Sequence, residues 1–595
     1  MSTSHPTISP SKFKSLFLDP SSLRWHMCWL IEWPKGMSYS SWINLLKRAC
    51  GWCRTKKIPR TNRQKKGCTR RYKRRAQEQT EKLSEKQATE VMNDLKTCDP
   101  LKSGDIKLEL ITVLKQFLER KHLSKHIEES IPDYRNQDLI TYSKQSLITS
   151  ALVIFLLRMT SGNKFDNKSH DDEKYARKNI AKFIDAPEDR VPVIKTIEKF
   201  LKKLDEEHVN NLMVAFFQDL QRSKFFVQHP QIMYGDCFFL AADCVHTHSY
   251  DHPHHEDKYG NNDCACCLKR VYNRGTEHEI TKWMHNTLVL CFVFQGGLKI
   301  PIYRHPIHAT QVVNVESASE DAHKQECELV ALKIALPLIR QLFPKMKIAL
   351  LLDGLYANRS VIRLAADWRC GYIIVKKEGC MTLLAKDCDG QSKLENHRKN
   401  CIKRCRQSNH QGQTVDQKYE WFNSVDIGDE SERLTTNVLR FLETKMKDGK
   451  ELTYKCEWLF SWKISAKTCE ASARQARMRW EEEDLFNTLK NRGFNLGHDY
   501  SRDPRSFHNW QGLAFFAFAI FELFRFSQAV KQRSNFSQST LAEKLQSQLL
   551  CRPTEELFSE RCLSARIQFR YDFKVEVMPS TEIRQSPSQC ALRPG

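Results

Sequence analysis

The chain has 595 residues, too many for one hydrophobic core, so roughly two to four domains are expected. Lysine and arginine number 94 against 71 aspartate and glutamate, a formal net charge of +23, which points to a polyanionic partner, most often nucleic acid. The 22 cysteines accompany no secretory signal pattern, which excludes a disulfide framework and reads as reduced thiols or metal ligands in a cytoplasmic protein.

Residues 1–80 show no clear periodicity and contain a basic arm. Between 47 and 75 lysines and arginines such as Lys56, Arg63, Arg70 and Arg75 occur with no acid among them, the pattern of an extended segment that meets phosphates without reading sequence. Cys50, Cys53 and Cys68 lack a well-placed fourth metal ligand. Residues 81–230 read as an all-helical domain, with apolar residues at three- and four-residue spacing over 106–118, 143–158, 179–183 and 193–204. Such a unit beside a basic arm suits DNA-end binding or packing on its neighbour. The apolar runs 147–157 and 513–521 are shorter than the roughly 18–20 residues of a membrane span, so no membrane association is expected.

A different pattern begins at 231. Residues 237–243 form a buried-strand run ending in Asp243, and 285–294 and 298–303 are two more strands joined by a Gln295-Gly-Gly297 turn. An amphipathic helix over 321–342 follows, then a buried strand 347–353 ending in Asp353, a helix over 358–368 and a strand over 372–375. A polar, β-rich insertion spans about 376–465. The spacing predicts one continuous helix over 477–490, a long apolar helix over 508–526 to cover the sheet, and a polar tail over 528–595. The order β-β-β-α-β-α-β, insertion, α is that of a ribonuclease H-like core, so the expected fold class is α/β: a catalytic domain over 231–527 preceded by an all-helical domain.

The helix over 477–490 organises this reading. At roughly 100° per residue Glu483 lies about 40° and Lys490 about 20° round from Arg479, so all three share a face, while Met478, Leu485 and Leu489 turn toward a core. A carboxylate with a cation one turn before it and another two turns after it suits a divalent metal beside a phosphodiester. The competing reading is an Arg-Glu pair on a solvated helix.

Histidines and cysteines crowd the stretch after Asp243: His246, His248, His252, His254 and His255, then Cys264, Cys266 and Cys267. A structural Zn²⁺ held by Cys264 and Cys267 with two of His252, His254 and His255 would satisfy tetrahedral N/S chemistry. A weaker set, His397, Cys401, Cys405 and His410, lies inside the insertion.

From about 142 to 526 the chain resembles a DDE-type insertion-sequence transposase of the branch whose last helix carries a Y-x2-R-x3-E-x6-K signature. Arg479, Glu483 and Lys490 match its R, E and K, and Ala476 stands at the Tyr position. Asp353-Gly-Leu-Tyr-Ala-Asn358 after a buried strand and Gly493-Phe-Asn-Leu496 after the signature add to the likeness. The resemblance implies a transposable-element enzyme: DNA strand cleavage and strand transfer with two Mg²⁺ (or Mn²⁺) ions on Asp243, Asp353 and Glu483, and Arg479 and Lys490 on the DNA. It also implies double-stranded DNA partners, the element's terminal repeats and its target, and a homodimer in the DNA complex. The alternatives are a catalytically inactive DNA-binding regulator derived from such an enzyme and a zinc-dependent hydrolase centred on the His/Cys stretch.

Overall fold

The computed structural model describes residues 108–170, 175–187, 190–253, 264–308, 320–407, 414–427, 434–447, 450–533, 536–565, 567–571 and 573. The basic arm, Cys50, Cys53, Cys68 and the start of the expected helical domain lie outside them. The architecture is mixed α/β: a helical region and one large mixed sheet.

The helical region opens with α1 (Leu110–Arg120) and α2 (Leu123–Ser130), then α3 (Lys144–Leu156), α4 (Gly162–Ser169), α5 (Ala176–Phe183), α6 (Ile194–Leu201) and α7 (Glu206–Arg222). Local chemistry sets several starts: the Ser143 hydroxyl accepts the Ser146 N–H at 3.0 Å, capping α3. This region shares its core with the sheet. Phe217 of α7 stacks on Phe292 with ring centroids 4.7 Å apart, and the Asn210 side chain donates to the Arg304 carbonyl at 2.9 Å.

The sheet contains ten strands in the order β2-β3-β1-β5-β6-β10-β9-β8-β7, with β4 also paired to β3. Three strands come first as a meander: β1 (Cys237–Tyr250), β3 (Ile280–Val293) and β4 (Lys299–Pro306), joined as β1–β3 and β3–β4 antiparallel pairs. The turn before β4 uses Gly296 and Gly297 at φ 78° and 80°, the left-handed region that a glycine enters without steric cost. A further strand, β2 (Leu268–Tyr272), pairs with the first part of β3; its mixed polar sequence carried no signal. Helix α8 (Glu320–Leu342) then leads to β5 (Lys347–Leu352), α9 (Arg359–Asp367) and β6 (Gly371–Val375). β5 lies parallel to both β1 and β6.

Four findings correct the sequence reading. β1 does not stop at Asp243; it runs on to Tyr250 along β3, and only its parallel pairing with β5 ends at Ala242 opposite Leu352. The insertion begins with α10 (Thr382–Ser392), and its strands β7 (Cys401–Gln407), β8 (Thr414–Ile427), β9 (Leu434–Lys447) and β10 (Lys450–Phe460) extend the same sheet, β10 pairing with β6. The single helix expected over 477–490 is two: α11 (Cys469–Arg477) and α12 (Trp480–Asn491), separated by a tight turn in which the Glu481 and Glu482 N–H groups reach back only three residues. The polar tail is in part a folded element. Helix α14 (Gln538–Cys551) buries Leu541, Leu545 and Leu549, and Asn179 of α5 donates to the carbonyls of Leu549 and Arg552 at 2.9 and 2.8 Å. Its leucines recur every four residues, a stripe too short and too polar overall to announce itself.

Helix α13 (Pro504–Phe526) is buried almost all round, touching β4, α3, α6 and α7, which explains why its sequence is apolar without a polar face. Among the described residues no helix is long and apolar enough to cross a membrane.

Candidate active site

Asp243 sits where β1 outruns β5, so its side chain meets the space opened beyond the end of the neighbouring strand. One carboxylate oxygen accepts the Cys244 N–H at 2.8 Å. Asp353 directly follows β5, and its Oδ1 accepts the Leu355 N–H at 2.8 Å, closing the 3₁₀ turn Gly354–Tyr356. Register makes the two acids neighbours, since the residues immediately before them, Ala242 and Leu352, are parallel partners. Lys377 Nζ stands 3.7 Å from Asp353 Oδ2. The Lys377 side chain lies over Gly354, where a Cβ would meet Lys377 Cγ at 2.4 Å and make the lysine shift.

The third acid arrives on α12. Arg479 precedes the helix and reaches both sides: Nη1 lies 3.5 Å from Asp243 Oδ2, and Nη2 bonds the Glu483 carboxylate. The Arg479–Glu483 contact is the i,i+4 pair that the spacing predicts; the added contact to Asp243 makes it a bridge between elements rather than a pair on a solvated helix. Met478, Leu485 and Leu489 are buried, as the expected apolar face requires.

The acidic run 481–484 is sorted by direction. Glu481 and Asp484 both pair with Lys299 of β4, at 3.0 and 2.6 Å. Burial alone would lower the Lys299 ammonium pKa, yet Glu481, Glu522 and Asp484 hold it above its usual value, so these pairs fasten α12 to the sheet. Glu482 points inward with no exposed surface, and neither carboxylate oxygen has a hydrogen-bond partner. Desolvation first, then the nearby Asp243, pushes its pKa well above its usual value. Glu483 is the one of the four whose carboxylate pairs with Arg479. Sequence reasoning passed over Glu482, since consecutive glutamates differ only in the direction that tertiary packing assigns them.

Asp243 is the electrostatic centre. Burial and then Asp353 raise its pKa to about 6, Glu483 adds to the rise, and Arg479 with the Cys244 N–H opposes it. Lys490, two turns beyond Glu483, is partly buried; desolvation lowers its ammonium pKa while Asp243 pulls the other way. Thus all five residues expected at the site, Asp243, Asp353, Glu483, Arg479 and Lys490, belong to one electrostatic neighbourhood. Asp243, Asp353 and Glu483 come from three elements and offer oxygen donors of the kind that suits a hard divalent cation, but their ligand atoms do not gather within 4.8 Å of one another.

Comparison with protein-family models and with curated proteins finds no match for this chain.

The expected zinc ligands are only partly brought together. Cys264 and Cys267 are buried side by side, but His252 is exposed and His254 and His255 lie outside the described residues. The imidazole that meets the thiols is His285 of β3, with Nε2 3.4 Å from Cys264 Sγ and 3.0 Å from Cys267 Sγ. It was missed because 21 residues separate it from Cys264 and a single histidine within an apolar strand carries no spacing signal. His246 is committed to Asn286. The weaker set in the insertion does not assemble among the described residues: His397 stacks on Phe422 at 4.4 Å and lies 3.4 Å from Glu420, Cys405 is exposed, and His410 lies outside them.

Proposed function

We propose that this chain is a DDE-type transposase that cleaves and transfers DNA strands at the ends of a mobile element. The observation that carries the reading is that Arg479 links Asp243, placed where the parallel β1–β5 pairing ends and next to Asp353 just after β5, to Glu483 on a separate helix. The strand order β4-β3-β1-β5-β6, with the first three antiparallel and the last two parallel to β1, supports a ribonuclease H-like core as the reading of this mixed sheet. The net charge of +23 suits a DNA partner.

Carboxylates suit Mg²⁺ or Mn²⁺: Asp243, Asp353 and Glu483 would hold the ions, and a bound divalent cation would offset the repulsion from Asp353 that adds to burial in holding the Asp243 pKa up. Such ions, when bound, lower the pKa of an attacking water or 3′-hydroxyl and stabilise the leaving oxygen. Arg479 bridges Asp243 and Glu483 and favours the ionised form of Asp243. Lys490 supplies a cation to the phosphate backbone about 10 Å along α12 from Glu483, at about 1.5 Å per residue. Lys299 anchors α12 so that Glu483 keeps its place relative to β1. Two chains, each engaging one element end, make a homodimer the working assembly.

The deciding experiment incubates the full chain with duplexes carrying the sequences that flank its coding region, with Mg²⁺ or Mn²⁺. Strand cleavage that Asp243→Asn abolishes without loss of DNA binding supports the reading. Binding without cleavage by the unaltered chain makes it a DNA-binding regulator instead.

A further inference from the structure

Cys264 and Cys267 bracket one tight turn, closed by the Cys267 N–H donating to the Cys264 carbonyl at 3.2 Å, so that a C-x2-C spacing folds both thiols to one side. The turn docks on β3. Trp283 packs against the cysteines, and His285, with no exposed surface, presents Nε2 to both sulfurs. The two Sγ atoms and the imidazole nitrogen all lie within 4.8 Å of one another. Bond lengths of about 2.3 Å to sulfur and about 2.0 Å to nitrogen put tetrahedral ligand atoms roughly 3.5–3.8 Å apart, so the observed 3.0 and 3.4 Å S···N separations need only a small adjustment.

We propose that Cys264, Cys267 and His285 hold a Zn²⁺ ion as three of its four tetrahedral ligands, at a site separate from the carboxylate site. Two thiolates and an imidazole select a borderline-soft ion, while Asp243, Asp353 and Glu483 offer only hard oxygen donors. A second cluster nearby, Glu206, Cys266 and His508, meets the same proximity criterion. It is less suited to a cation, because the fully buried Arg304 guanidinium stands 3.9 Å from Glu206 and already supplies positive charge there. The first cluster has a clear mechanical consequence. Thr247 of β1 donates its hydroxyl to the His285 carbonyl at 3.4 Å, so an ion at His285 would tie the 264–267 turn to β3 beside the continuation of β1 that carries Asp243. This inference does not depend on the DNA reading, and its test reads metal rather than cleavage.

The test is elemental analysis of the full chain, purified under reducing conditions without added zinc and washed with a weak chelator. About one zinc per chain is expected. Cys264→Ser combined with Cys267→Ser should lose it, His285→Ala should lower occupancy at least about tenfold after the same wash, and His252→Ala should keep it. Because the double variant risks misfolding, the unaltered chain is also exchanged into Co²⁺, where thiolate coordination gives an intense near-ultraviolet charge-transfer band. Alkylation of Cys264 and Cys267 should be slow until a strong chelator is added. Absence of zinc and of the cobalt band would overturn the site and leave thiol–imidazole hydrogen bonds in its place. Zinc fully retained by His285→Ala would equally overturn the assignment.

Discussion

Arg479 Nη1 lies 3.5 Å from Asp243 Oδ2 while its other terminal nitrogen holds Glu483, so one guanidinium joins the middle of the sheet to a helix almost 240 residues later in the chain. Removing it takes away the cation that lowers the Asp243 pKa. Arg479→Ala is expected to reduce cleavage about 10- to 100-fold at neutral pH and to move the acidic limb of the pH–rate profile upward, since Asp243 then stays protonated to higher pH. An unshifted profile would show that Arg479 does not set the ionisation of Asp243.

Asp243 should also register in the stability of the metal-free protein. Its folded pKa of about 6 exceeds the ordinary 3.8, so the fold binds that proton more tightly than the unfolded chain does. The resulting cost of ionisation is absent below about pH 4, grows as pH rises, and is complete somewhat above pH 6. Asp243→Asn, which imitates the neutral acid, is expected to stabilise the metal-free chain by about 1–3 kcal/mol near pH 7.5 and negligibly near pH 4. Denaturant melts at the two pH values would show it, and equal effects at both would refute the electrostatic account.

Adjacent glutamates should behave oppositely. Glu482 is buried with its pKa pushed up by desolvation, so the neutral isostere Glu482→Gln is expected to leave cleavage within about threefold of the unaltered chain, with thermal stability nearly unchanged. Glu483→Gln should abolish cleavage while DNA binding persists, as should Asp353→Asn. The comparison is one cleavage assay run on matched preparations; loss of cleavage in Glu482→Gln with Glu483→Gln active would exchange their roles.

Lys490 faces the site without an ion pair among the described residues, and its ammonium is partly desolvated. Lys490→Ala is expected to weaken binding to element ends and to reduce the slope of log affinity against log salt by about one, with the divalent-cation dependence of cleavage unchanged. A salt slope equal to that of the unaltered chain would remove the phosphate contact.

Leu545 in α14 has no exposed surface. Leu545→Ala should therefore destabilise the protein by about 2–5 kcal/mol. A polar interaction tail would tolerate the same change within about 0.5 kcal/mol, so a single unfolding curve separates the two descriptions of this segment.

By itself the sequence determined the elements whose signals are local. Apolar runs mark β1, β5 and β6, three- and four-residue periodicity marks the helices, and spacing puts Glu483 and Lys490 on one helical face, while Arg479 stands in the turn before α12. The same spacing carried the resemblance that named Asp243 and Asp353 as partners. Tertiary structure alone decided what each side chain faces. It gave four consecutive acids different surroundings, turning Glu481 and Asp484 to Lys299, burying Glu482 and pairing Glu483 with Arg479, because helix rotation against a sheet is set by packing at residues far away in sequence. It brought His285 to Cys264 and Cys267 in place of His252, since β-strand register can bring together residues that no short spacing connects. It also drew 538–551 into the core: Asn179 and the leucines of α14 meet only once the chain has closed a loop of several hundred residues, and nothing local records where such a loop will end.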